Sequence, residues 1–191
     1  MAAGPLILAS RSPQRRAILE QLGIDFEARP ADVEELAEGD PRHVVLENAR
    51  RKARAVPGEV VLGADTEVVL DGHVYGKAAD AAEAETYLRR LSGRTHEVWG
   101  GIALLARGEE RTAAAVTRVR FRRLEQPWID WYLSTGEWRE RAGAYAIQGR
   151  GSALVEEVDG DFWNVVGLPV TELLRLAPEL LDPGLQPFRA I

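Results

Sequence analysis

EVVLGADTEVVLDGHVYGK, residues 59–77, is the stretch on which the fold turns. Its first half is an apolar run that predicts a strand ending near Asp65. A second strand follows, then the Asp71-Gly72 pair that signals a hairpin, and a return toward Lys77. In an α/β sheet, the carboxyl end of a strand is where ligands collect. A carboxylate there can hold a metal ion or orient a water for attack. It can equally cap a turn, so Asp65 alone does not decide between chemistry and structure.

Upstream, LILASRSPQRRAILEQLGI at residues 6–24 runs from a short buried strand into a helix. Ser12 is the expected N-cap and Pro13 the first helical residue. Ile18, Leu19 and Leu22 share one face, and Gly23 ends the element. Arg15 and Arg16 fall in the first turn, where the helix dipole disfavours positive charge. An anion docking at that end would reverse the cost. The alternative is two side chains reaching solvent. The stretch lacks the P-loop pattern G-x-x-x-x-G-K-[ST]. Residues 24–39 read as irregular or extended and carry the acidic pair Glu34 and Glu35. A second helix is expected from Asp40-Pro41 to about Val56, with Val45, Ala49, Ala53 and Val56 as its apolar stripe. Asn48 and Lys52 share a neighbouring face at i and i+4.

Downstream, Asp80 and Glu83 resemble a capping box for a helix ending near Gly93. Residues 95–106 and 111–124 predict two long strands around the turn RGEE. In the second, Thr117, Val119 and Phe121 alternate with Arg118, Arg120 and Arg122, which predicts one solvated face. Trp128, Trp131 and Tyr132 recur at helical spacing and are expected in the core. A Gly-rich turn, a hairpin across DGD and a helix after Pro169 close the chain. The sequence shows no internal repeat, and the mixture of elements predicts an α/β fold around a mixed sheet.

The 191 residues, 46% of them hydrophobic, suffice to bury a core as one domain or as two lobes sharing a sheet. A net charge of -6 argues against non-specific nucleic-acid binding. With no cysteine, disulfides, thiolate nucleophiles and zinc knuckles are excluded. No run is long enough to span a bilayer and no signal-peptide pattern opens the chain, so a soluble cytoplasmic protein is expected. His43, His73 and His96 have neither metal-ligand spacing nor a nucleophile beside them, and receive no role.

Positive charge is almost entirely arginine. Of the 24 Lys and Arg residues only Lys52 and Lys77 are lysine. A compact ammonium is not equivalent to a guanidinium fork, so these two positions are candidates for sites that need the former. Glu35 is a candidate second hard ligand for Mg²⁺, although taken alone Glu34 and Glu35 are better explained by a solvated acidic loop. Gln148, in the turn IQGRG, carries an amide able to read a base edge.

In order and spacing, LILASRSPQRR, EE at 34–35, RRKARA, VLGADTEVVLDGHVYGK, LRRLSGRTHEV, AGAYAIQGRG and VDGDFWNVVGLPV together resemble the Maf family of nucleoside triphosphate pyrophosphatases. The resemblance covers nearly the whole chain as one domain, residues 1–191. It implies a fold related to inosine-triphosphate pyrophosphatases: an elongated, strongly twisted mixed sheet, with helices forming two lobes around a central cleft. It also implies hydrolysis of a nucleoside triphosphate to the monophosphate and pyrophosphate with a divalent cation, Mg²⁺ or Mn²⁺. By position, Asp65 matches the family's catalytic acid/base. Glu35, Lys52 and Lys77 match its charged cleft residues, and Ser10 and Arg15 its phosphate-binding start. Glu35 and Asp65 are the implied metal ligands.

Thr66 and Gln148 side with the branch acting on dTTP and UTP rather than the 7-methyl-GTP branch. Gln14 stands where the pyrimidine branch carries Arg, which points to a relaxed or shifted base preference. GKA replaces the usual GKP after Lys77. Purine-directed hydrolysis and nucleotide-binding regulation of septum formation are the rival expectations. The resemblance also carries a homodimer as its oligomeric expectation.

Overall fold

The computed structural model describes residues 5–182. Its central element is β3, Val60–Leu70, one unbroken strand rather than the two expected. The polar residues Asp65, Thr66 and Glu67 interrupt the apolar run but not the backbone ladder. Antiparallel pairing to β5, Thr95–Ala106, continues through them from Val60↔Ala106 to Val69↔Glu97. The polar side chains reflect what lies above and below the strand rather than its end.

The other edge of β3 is paired at its two extremities only. β1, Leu6–Leu8, runs parallel to Val60–Leu62. β4, His73–Tyr75, runs antiparallel to Val68–Leu70 after the predicted Asp71-Gly72 turn, whose residues have φ of 54° and 76°. Between these partners, residues 63–67 of β3 face a gap in the sheet. β2, Phe26–Ala28, lies in the stretch read as irregular or extended and pairs parallel with β1. β6, Glu109–Phe121, and β7, Val155–Asp159, complete the order β2-β1-β3-β5-β6-β7.

The helices start as expected. Ser12 caps α1, Pro13–Gln21, by accepting the Arg15 N–H, and Asp40 caps α2, Pro41–Arg54. Asp80 caps α3, Ala81–Leu91, while the Glu83 carboxylate reaches back to the Ala79 N–H at 2.7 Å, one residue earlier than a standard capping box. α2 lies directly on the sheet because Gly63 and Gly101 are bare there. A methyl group at either would collide with the helix backbone, at Ala49 or Val45 respectively.

Three hydrophobic clusters fill the two faces. One, around Ile7, Ala49, Ala53 and Ala103, lies under α2. A second, around Leu8, Leu19, Leu62, Leu104 and Leu173, lies on the opposite face. The third gathers Leu88, Phe121, Tyr132 and Leu154 around the far ends of the long strands.

Two expectations fail here. In α4, Gln126–Thr135, Ile129 and Tyr132 are the buried stripe. Trp128 and Trp131 are rotated off it, half exposed, and pack edge to face on one another at 5.8 Å. DGD is not a hairpin. After β7 ends at Asp159, Asp161 caps α5, Phe162–Val166, by accepting the Trp163 N–H at 2.8 Å. A carboxylate with free backbone N–H groups ahead of it favours a cap over a turn. α6, Val170–Leu176, follows Pro169 as expected.

Candidate active site

The gap beside β3 is where the charged candidates meet. Successive strand side chains point to opposite faces, so Asp65 points toward α2 and Thr66 toward α1. On the α2 side, Lys52 Nζ donates to Asp65 Oδ1 at 2.7 Å and to Glu35 Oε2 at 2.9 Å. Lys52 and Asp65 are nearly buried, whereas the Glu35 side chain is half exposed. An ammonium held between two carboxylates satisfies the requirement that buried charge be paired.

On the other side, the Arg15 guanidinium is buried and fixed at three points. Nε donates to the Gly167 carbonyl at 2.8 Å, Nη1 to Ser10 Oγ and Nη2 to Thr66 Oγ1, both at 3.1 Å. Burial pulls its pKa below the ordinary arginine value, while the charges of Asp65 and Glu35 pull it back up. Three of its five N–H groups are used by these contacts, so two remain for a bound anion. The first-turn arginine is thus a built part of the fold as well as a charge at a helix start. Around residues 65 and 66 the structure brings together Glu35, Lys52 and Asp65 on one face and Ser10, Arg15 and Thr66 on the other.

Three candidates lie apart from this cluster. Lys77 is exposed and donates to Glu140 Oε2 at 2.8 Å. The β3–β4 pairing stops at Tyr75, and the Lys77 backbone instead forms an isolated antiparallel bridge with Ala142. Gln14 accepts a hydrogen bond from Ser12 Oγ at 3.0 Å. Gln148 is exposed where a 3-10 turn, Gly149–Leu154, begins, and makes no side-chain capping bond.

Two residues without an assigned role belong to the site. Asn48, fully buried, donates from Nδ2 to Asp65 Oδ2 at 3.0 Å. Glu67 follows Asp65 by two residues on the same face, and its pKa is pushed up to about 7, first by burial and then by the charges of Asp65 and Glu35. The i, i+4 spacing of Asn48 and Lys52 was the signal for the first. For the second, the signal was strand alternation, lost when the strand was expected to stop at Asp65.

A mixed sheet with a charged gap in its edge, acids and a lysine on one face and a buried arginine on the other, defines an α/β protein equipped for phosphate chemistry. The chain belongs to the Maf family: the family model described as "Maf-like protein" matches residues 5–180. A dTTP/UTP pyrophosphatase of Anaeromyxobacter dehalogenans is 54% identical over 177 residues, covering 90% of this chain and 91% of the relative. One of Symbiobacterium thermophilum is 50% identical over 184 residues, covering 93% and 95%. The Staphylococcus aureus Ham1 protein superposes with a TM-score of 0.45 at 16% identity, over 61% of this chain and 71% of that one, too loosely to add to the argument.

Proposed function

We propose that this chain hydrolyses dTTP, UTP and related pyrimidine nucleoside triphosphates to the monophosphate and pyrophosphate. The observation that carries this reading is the junction at residues 65 and 66. Consecutive side chains of β3 join a carboxylate–ammonium cluster on one face to a buried arginine on the other. The family, with its dTTP/UTP pyrophosphatase relatives, supplies the substrate.

In the reaction a water oxygen bonds to the α-phosphorus and the α,β-bridging P–O bond breaks. The electron pair of that bond leaves with pyrophosphate. Asp65 orients the water or accepts its proton, at an oxygen held in place before substrate binds. Lys52 offsets negative charge beside Asp65, and the free N–H groups of Arg15 face the polyphosphate at the helix start. Lys77 leaves its exposed pair with Glu140 to meet the departing phosphates, a low-cost exchange because exposed ion pairs contribute little.

A divalent cation fits the donor set. Among the described residues no three His, Cys, Asp or Glu side chains form an all-protein cage. Mg²⁺, however, characteristically takes one or two carboxylates and completes its shell with substrate phosphates and water. Glu35 and Asp65 would hold it. When bound, the ion supplies Lewis acidity and neutralises charge on the triphosphate.

The test is to incubate the protein with each nucleoside triphosphate, 7-methyl-GTP included, in the presence of Mg²⁺ or Mn²⁺, and to identify both products. Monophosphate plus pyrophosphate, fastest from dTTP and UTP, is expected. Diphosphate plus orthophosphate would overturn the reading, and a preference for purines would overturn its substrate. Asp65→Asn should lower turnover about a thousandfold with an unchanged circular dichroism spectrum.

A further inference from the structure

Every hydrogen-bonding group of the Asn48 amide is used. Nδ2 donates to Asp65 Oδ2 and to the Leu36 carbonyl, each at 3.0 Å. Oδ1 accepts the Leu36 N–H at 2.7 Å. The surroundings force this amide orientation, because a backbone N–H requires an acceptor while a carbonyl and a carboxylate require a donor. The same stretch of helix fastens the two preceding loop residues. Arg51 Nη1 donates to the Glu34 carbonyl at 2.8 Å, and Lys52 Nζ to the Glu35 carboxylate at 2.9 Å. Residues 34–36 are thereby tied to α2 one after another.

We propose that Asn48 is a positioning residue for the hydrolytic step: its amide sets the plane of the Asp65 carboxylate and locks the Glu35 loop beside it. This rests on the pyrophosphatase reading above. The terminal torsion of an aspartate is broad and poorly defined by itself. With Lys52 at Oδ1 alone, the group could pivot about that one contact; a second donor at Oδ2 removes the pivot. Being neutral, Asn48 does this without altering the charge balance that Lys52 supplies. Each carboxylate oxygen keeps acceptor capacity after one hydrogen bond, so the arrangement still leaves room for a water. Asn48 is buried without exposure and acts through Asp65, not on substrate.

The experiment compares Asn48→Ala and Asn48→Ser, each alone and combined with Asp65→Asn, for pyrophosphate release from dTTP with Mg²⁺. Amide hydrogen exchange of residues 34–37 is measured on the same proteins. In the single variants kcat should fall at least about tenfold, as small misplacements of a reacting group do, with KM within about threefold. In the Asp65→Asn background either change should cost less than about twofold, because a carboxylate that is gone cannot be misplaced. Exchange at Leu36 should quicken while the amides of α1 and β5 keep their protection.

Wild-type kcat in both single variants overturns the proposal, as do losses that multiply in full with that of Asp65→Asn. If Asn48→Ala does not fold, Asn48→Ser, which keeps a polar atom, decides the question by the same measurements. A wild-type protein that releases no pyrophosphate is a separate failure, seen in the control. It removes the pyrophosphatase reading and this inference with it.

Discussion

The two lysines of this chain occupy opposite surroundings. Lys52 lies nearly buried between Glu35 and Asp65, on a helix pressed against the sheet. Lys77, two residues beyond β4, extends into solvent and is paired with a still more exposed Glu140. The same ammonium is therefore fixed in one place before substrate arrives and left free to move in the other. Removing Lys52 takes away the ammonium bonded to both acids and leaves them the charge of Arg15 on the other face, whereas removing Lys77 leaves one acid in water. The proposed mechanism, in which one carboxylate is held still and a departing anion is followed, uses one of each.

The largest effect should come from Lys52→Met. Turnover should fall a hundredfold or more, roughly what losing a fixed electrostatic partner costs. Chemical denaturation should show a stability loss of about 3 kcal/mol, because the carboxylates lose their buried counter-charge. Wild-type stability in this variant would break the contrast between the lysines.

His96 sharpens the comparison by showing what burial does to a basic group with no acid beside it. It is 1% exposed, lies 2.9 Å from the Tyr145 hydroxyl, and its pKa is depressed by burial from 6.5 to about 4. The folded protein keeps it neutral, while the unfolded chain takes up a proton below pH 6.5. Its contribution is therefore complete above that pH and is lost as the pH falls toward 4, amounting to about 3 kcal/mol in all. Unfolding midpoints of wild type and His96→Phe, compared between pH 7 and pH 4, should show a shallower pH dependence in the variant.

The smallest effect belongs to Lys77→Ala. An approximately tenfold loss in kcat/KM, carried by kcat and diminished at high salt, should leave the melting temperature unchanged. A marked loss of stability would mean that Lys77 is as structural as Lys52.

Much of this was legible in the sequence because it is local. Caps at Ser12, Asp40 and Asp80, and the turn at Asp71-Gly72, depend on neighbours a few residues away. The cluster of Glu35, Lys52 and Asp65 was reachable through the resemblance to the Maf family, with the scarcity of lysine pointing separately to Lys52. What stayed hidden depends on the third dimension. The continuity of β3 through Asp65 follows from its pairing with β5, which no local pattern announces. Asn48 acts on a loop twelve residues upstream in sequence and on a strand seventeen downstream. The outward turn of Trp128 and Trp131 depends on which side of α4 meets the core.

The bare positions at Gly63 and Gly101 carry one further consequence. Because the helix backbone rests on them, Asn48, Arg51 and Lys52 share a single seat rather than three separate ones. One added methyl group beneath that seat would raise all three together. The Asn48–Lys52–Asp65 cluster is therefore exposed to failure at two residues that carry no functional group at all.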